Sequence, residues 1–110
     1  GFDWPNIEPV WQKVEEEWSE LKNAWASCDR QRTGEELGDV FFSLVNLARF
    51  LDVQAEDVTS QTTDRFIERF TYDDNQLRAA GKTPDQSSLE EMDRLWDEAK
   101  ALERRGRLRP

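Results

Sequence analysis

Two pairs of carboxylates, Glu17 with Glu20 and Glu36 with Asp39, restrict what this chain can fold into more than any other feature. Each pair is three residues apart, within Glu16-Glu17-Trp18-Ser19-Glu20 and Glu35-Glu36-Leu37-Gly38-Asp39, so on a helix its members share a face and repel each other. Both segments also run through apolar periodicity. Val10, Val14, Trp18, Leu21 and Trp25 recur at helical spacing around the first, and Leu37, Val40, Phe41, Leu44, Val45, Ala48 and Leu51 around the second. At about 100° per residue, Glu17 borders the first stripe and Glu20 lies further out, with Lys13 between them in angle. Glu36 edges the second stripe, followed around the helix by Ser43, Asp39 and Asn46. A fold that buries both stripes must bring acids to the margin of its core, where an unpaired charge is expensive.

One such segment alone reads as a solvated helix face, since acids are common in exposed first turns. The second, beside a dense apolar stripe, points instead to clustered charge kept for a purpose. Carboxylates with no histidine anywhere are hard oxygen ligands, suited to Mg²⁺ or Mn²⁺, which often meet substrate phosphates with waters retained. Phosphate chemistry is the expectation.

Charged residues make up 35% of the chain and Gly plus Pro only nine positions, which favours helices over a sheet. The first helix starts at Asn6 or Glu8, with Pro9 in its first turn, and runs to about Ser27. Cys28 to Thr33 is read as a polar connection of about six residues, which favours antiparallel packing of the second helix, ending near Leu51, against the first. Gly38 inside that helix suggests a close backbone approach. A third helix runs from about Ala55 to Ala80 with Val58, Phe66, Ile67, Phe70 and Leu77, stopped by Gly81. After a loop over Lys82 to Gln86, Ser88 with Glu91 has the form of a capping box. Leu89, Met92, Leu95, Trp96, Ala99 and Leu102 then give a fourth helix, ending near the basic tail Arg104 to Arg109. The expected fold is all-α, an antiparallel bundle of about four helices.

At 110 residues the chain is expected to be a single domain, 1–110, though its abrupt start at Gly1-Phe2-Asp3-Trp4-Pro5 reads equally well as a piece of a longer protein. A lone Cys28 excludes a disulfide framework or a cysteine-rich zinc site and fits a reducing compartment. With neither a long apolar run nor a signal-like start, no membrane partner is expected and cytoplasm is the default. The net charge of −9 argues against a nucleic-acid polymer as partner. A small nucleotide remains compatible, because a bound cation inverts the local field.

Further candidates have competing structural readings. Arg65 and Arg69, four apart, suit bidentate contact with phosphate oxygens, or surface pairing with Asp64, Glu68 or Asp73. Trp96 and Lys100 offer an aromatic face and an ammonium, or a core Trp with a snorkelling Lys. Trp11, Trp18 and Trp25 fall at heptad spacing and read as core or helix–helix interface. Asp73-Asp74-Asn75 lacks the glycine and remaining ligands of a calcium loop. There is no Gly-rich phosphate loop, catalytic serine set or zinc motif, so catalysis has to come from metal and carboxylate.

The two acidic segments, separated by the fourteen residues between Glu20 and Glu35, resemble the paired signature of the MazG family of all-α nucleoside triphosphate pyrophosphohydrolases. Gly1 to Pro5, Lys13, Val45-Asn46-Leu47-Ala48-Arg49, Arg65-Phe66, Arg69-Phe70 and Trp96 through Lys100 resemble the carboxy-terminal catalytic domain of two-domain members. The resemblance implies a Mg²⁺-dependent hydrolase, with Mn²⁺ as substitute, cleaving a nucleoside triphosphate between its α- and β-phosphates. It implies Glu17, Glu20, Glu36 and Asp39 as catalytic metal ligands. Arg32, Asn46, Arg65, Arg69, Trp96 and Lys100 become substrate-binding residues, and a homodimer is implied. Thr63, Arg65, Ile67, Glu68 and Arg32 depart from residues frequent in the family, which bears on nucleotide preference rather than on metal binding. Two other functions fit the sequence: a non-catalytic acidic interaction module that needs no cation, and a relative preferring deoxyuridine nucleotides.

Overall fold

The computed structural model describes residues 1–106, and their regular structure is four α-helices with one short 3-10 turn. These are α1 (Glu8–Ala26), α2 (Arg30–Phe50), α3 (Ala55–Ala79) and α4 (Leu89–Arg104), with the 3-10 turn at Pro84–Gln86 before α4. The fold is all-α, as expected. Arg107 and Arg109 of the basic tail lie outside the described residues. Among those described, no helix is long and apolar enough to cross a membrane. The chain divides into two compact units, Gly1–Val58 and a second that begins at Thr59.

In the first unit the link between α1 and α2 is shorter than the expected stretch from Cys28 to Thr33. Asp29 is the reason. Its side chain accepts the Arg32 N–H at 3.1 Å and its carbonyl accepts the Thr33 hydroxyl at 2.7 Å, so α2 already starts at Arg30. A cap of this kind contributes about 1 kcal/mol. Only Ser27, Cys28 and Asp29 remain to reverse the chain, with Cys28 at φ +58°. The helices run antiparallel, so that Glu20 faces Glu36 at one level and Asp3 reaches Arg49 at the other.

The buried seam of this hairpin is Val10, Glu17 and Ala24 on α1 with Val40, Ser43, Leu47 and Ala48 on α2. It corrects the expected stripes. Trp11, Trp18 and Trp25 sit one residue beyond the seam positions, hence about 100° around the helix, and they are exposed, Trp25 by 75%. Leu37, Phe41, Leu44, Val45 and Leu51 are likewise exposed on α2. One helix facing one neighbour has a single contact line, narrower than the apolar arc that either sequence provides. Nor do the carboxylates merely flank the seam, for Glu17 lies within it. At Gly38 an added Cβ would meet nothing within 4 Å, so the expected close approach is not made among the described residues.

In the second unit Leu77 of α3 is buried with Leu95 and Ala99 of α4, while Phe66, Ile67, Phe70 and Leu89 stay exposed. The end of α3 is closed by Gly81 at φ +75°, where the Gly81 and Lys82 N–H groups donate to the Arg78 and Leu77 carbonyls, each at 2.9 Å. The start of α4 keeps half of the expected capping box. Ser88 Oγ accepts the Glu91 N–H, but the Glu91 carboxylate takes hydrogen bonds from Lys82 and Ser87 instead. Lys82 thereby ties the loop to the helix.

Asp73, which the sequence gives no calcium-loop context, is fully buried, and neither carboxylate oxygen has a hydrogen-bond partner among the described residues. Burial, and after it the charge of Glu98, pushes its pKa from 3.8 to about 6. The folded chain therefore binds this proton more tightly than the unfolded one. The associated stability is complete below 3.8 and lost as the pH rises to about 6, by on the order of 3 kcal/mol. Asp3, Glu91 and Glu103, held below their ordinary values by Arg49, Lys82 and Arg69, act with the opposite sign at lower pH. Comparison with Asp73→Asn isolates Asp73: the melting temperature of the variant minus that of the parent should grow between about pH 4 and pH 6.5 and then level off. A difference that is constant over that range would contradict the assignment.

Candidate metal centre

Glu17 and Glu20 come from one turn of α1 and Glu36 from the second turn of α2, and the hairpin brings one carboxylate oxygen of each within 4.8 Å of the other two. Side-chain spacing and the tight Asp29 turn together produce this convergence. Glu17 is buried, Glu20 and Glu36 half-buried. Two cations stand at the rim. Lys13 Nζ contacts Glu17 Oε1 at 2.9 Å, one turn back on α1, and Arg32 Nε lies 3.9 Å from Glu36 Oε1. Glu17 Oε2 and Glu36 Oε2 are buried with no hydrogen-bond partner among the described residues.

The proximity of Glu17, reinforced by desolvation and by Glu36, raises the pKa of Glu20. Three acids with two orphaned oxygens make a site that wants positive charge, and an all-carboxylate donor set fits a hard divalent ion such as Mg²⁺ or Mn²⁺.

Of the four acids expected to act together, Asp39 stands apart from this group. It is exposed, and one turn along α2 from Glu36 it lines a cavity of about 360 Å³ with Glu17, Ser43 and Asn46. Asn46 Oδ1 accepts two hydrogen bonds from Arg49, at 2.7 and 3.2 Å. Phe2, Asp3 and Trp4 form another wall of the same cavity. The sequence reading gave these three no role, because nothing in their spacing ties an irregular amino-terminal stretch to α2.

The other expected substrate residues belong to the second unit. Arg69 is held by Glu103 of α4 through three contacts of 2.7 to 3.0 Å, and its guanidinium carbon lies 5.6 Å from the centre of the Trp96 ring. This corrects the expected pairing with Asp64, Glu68 or Asp73; a partner 34 residues away was invisible to a search along one helix. Arg65 donates to the Thr62 hydroxyl at 2.9 Å. Trp96 is half-buried and packs against Phe66 with ring centres 5.3 Å apart. Lys100 is half-buried, and its charge adds to those that hold the pKa of Glu103 down.

Residues 6–72 match the model of the MazG nucleotide pyrophosphohydrolase domain. The chain belongs to the MazG family. That match includes every acid of the site and Arg32, Asn46, Arg65 and Arg69, while Trp96 and Lys100 lie beyond it. Among MazG relatives, the nucleoside triphosphate pyrophosphohydrolase/pyrophosphatase MazG of Thermotoga maritima is 40% identical over 100 residues, 91% of this chain and 38% of its own length. A nucleoside triphosphate pyrophosphohydrolase of Escherichia coli is 35% identical over 105 residues, 94% and 40% of the two chains. An uncharacterized protein of Bacillus subtilis, YabN, is 44% identical over 70 residues, 64% of this chain and 14% of its own. This MazG chain thus spans well under half the length of the relatives it matches.

Repulsion at the site sets a test independent of any reaction. With divalent ions chelated, Glu20→Gln should raise the melting temperature, because one of three crowded charges is gone. Millimolar Mn²⁺ should raise that of the parent, by up to about 2.7 kcal/mol of stability at about 100 times its Kd, and should do little for Glu36→Gln. A parent indifferent to both Mg²⁺ and Mn²⁺ would refute the metal assignment.

Proposed function

We propose that this MazG domain is a Mg²⁺-dependent nucleoside triphosphate pyrophosphohydrolase, with Mn²⁺ able to substitute, that cleaves the α–β anhydride to release nucleoside monophosphate and pyrophosphate. The observation that carries the reading is the convergence of Glu17, Glu20 and Glu36 with two buried oxygens left unpartnered among the described residues. Family membership and the names of the Thermotoga and Escherichia relatives support it. When bound, a divalent ion supplies charge neutralisation at phosphoryl oxygens and water of lowered pKa.

The chain's own groups then divide the work. Glu17, Glu20 and Glu36 hold the ion, with Lys13 fixing Glu17 through Oε1 so that Oε2 stays available. Asp39 is the fourth acid, exposed and making no hydrogen bond among the described residues, which leaves it able to orient an attacking water and take its proton. Arg32 puts a fixed positive charge beside Glu36, suited to a phosphate oxygen. Asn46, Arg65, Trp96 and Lys100 are proposed as substrate contacts on the strength of the resemblance. Arg69 would have to exchange Glu103 for phosphate to join them.

We also propose a homodimer, a second copy covering the exposed row of Trp11, Trp18 and Trp25 on α1 together with Phe41 and Val45 on α2. So many large apolar side chains on one small unit exceed what a monomer ordinarily exposes. Light scattering should give twice the mass of one chain at micromolar concentration, and a monomeric mass with full activity would exclude this role for the face.

For the reaction itself, a panel of ribo- and deoxyribonucleoside triphosphates should give pyrophosphate and monophosphate only with Mg²⁺ or Mn²⁺. Glu36→Gln and Asp39→Asn should each lower turnover by about 10²-fold or more, the scale of several kcal/mol of charge stabilisation. Diphosphate and free phosphate as products, or turnover in chelator, would overturn the proposal.

A further inference from the structure

The cavity beside the acids is walled by aromatic rings that the metal-centred reading does not use. Arg49 of α2 grips Asp3 through two parallel hydrogen bonds, both 2.9 Å, and Asp3 Oδ1 also accepts the N–H of Trp4 at 2.8 Å. This fork-to-fork contact pins the amino-terminal segment to α2. It sets Phe2 and Trp4 on the cavity wall with Phe42, all three substantially exposed. Asn46 lines the same space, and since its Oδ1 already serves Arg49, its amide NH₂ is the group left to donate. Glu17 belongs to both the cavity and the carboxylate cluster, and Asp39 lines the cavity as well.

A ligand whose anionic end is drawn to the acids through a cation therefore has its uncharged end directed at π-faces and one amide donor. The volume, about 360 Å³, falls within the roughly 300 to 1,000 Å³ of small-molecule sites. Planar rings with hydrogen-bonding edges satisfy both walls, and stacking on aromatic side chains tolerates any base. We propose that this cavity holds the nucleoside moiety of the substrate, with Trp4 as the stacking residue and the Asp3–Arg49 pair as the clamp that positions it. The inference rests on the pyrophosphohydrolase reading and adds to it the place of the base.

Binding calorimetry of the full chain in Mg²⁺, with adenosine, guanosine, cytidine and uridine monophosphates as probes, tests the proposal. The parent should bind at least one of them. Trp4→Ala should weaken that binding about tenfold or more, Trp4→Phe by no more than about threefold because a ring remains, and the Mn²⁺-induced rise in melting temperature should persist in both. Absence of binding by all four probes, equal affinity in Trp4→Ala and parent, or loss of the Mn²⁺ response in Trp4→Ala would overturn it. The two readings fail separately. Pyrophosphate release without any Trp4 dependence leaves the reaction standing and removes this subsite, whereas Trp4-dependent monophosphate binding without pyrophosphate release does the reverse.

Discussion

Mutual repulsion of three carboxylates across the α1–α2 seam is the constraint around which the first unit is arranged. Burying Glu17 between two helices, with Glu20 and Glu36 within 4.8 Å, opposes the packing that encloses it. Lys13 and Arg32 offset part of that cost, but both are substantially exposed and each contacts only one oxygen of its partner closely. The rest of the seam is Val10 and Ala24 on α1 with Val40, Ser43, Leu47 and Ala48 on α2, none of which carries a charge that could offset the acids.

From that arrangement several other features follow. Two helices share a single contact line, so much of the broad apolar arcs of α1 and α2 faces outward as exposed tryptophan, phenylalanine and valine. The three-residue turn capped by Asp29 sets the level at which Glu20 opposes Glu36. At the opposite end of the hairpin, the Asp3–Arg49 pair brings an irregular stretch back over the same seam. The second unit carries its own buried acid, Asp73, and its own tight ion pair, Arg69 with Glu103.

The helices were legible from periodicity and punctuation: Pro9 marks the start of α1, and Gly81 and Ser88 mark the end of α3 and the start of α4. That the two acidic segments could oppose each other was legible from their i,i+3 spacing and an antiparallel pair of helices, but not that Asp39 would stand outside the group of Glu17, Glu20 and Glu36. What the sequence concealed depends on single contacts. Asp29 moved the start of α2 back by several residues, since a cap is set by one side chain rather than by a pattern. The rotation that buries Val10, Glu17 and Ala24 instead of the tryptophans is a choice between two adjacent heptad rows, and Ala24 carries too little hydrophobicity to announce itself. Asp73 lies on a polar run that gives no sign of its burial. Asp3, Trp4 and Arg69 take distant partners that no local reading reaches.

The central claim, that Glu17, Glu20 and Glu36 form a divalent cation site, is met most directly by a crystal structure of the chain grown in millimolar Mn²⁺, recorded for anomalous scattering from manganese. The account predicts a strong anomalous peak bonded to oxygens of all three glutamates, with Glu17 Oε2 and Glu36 Oε2 among the ligands. Manganese bound elsewhere while these oxygens remain unliganded, or no manganese at all, would contradict it.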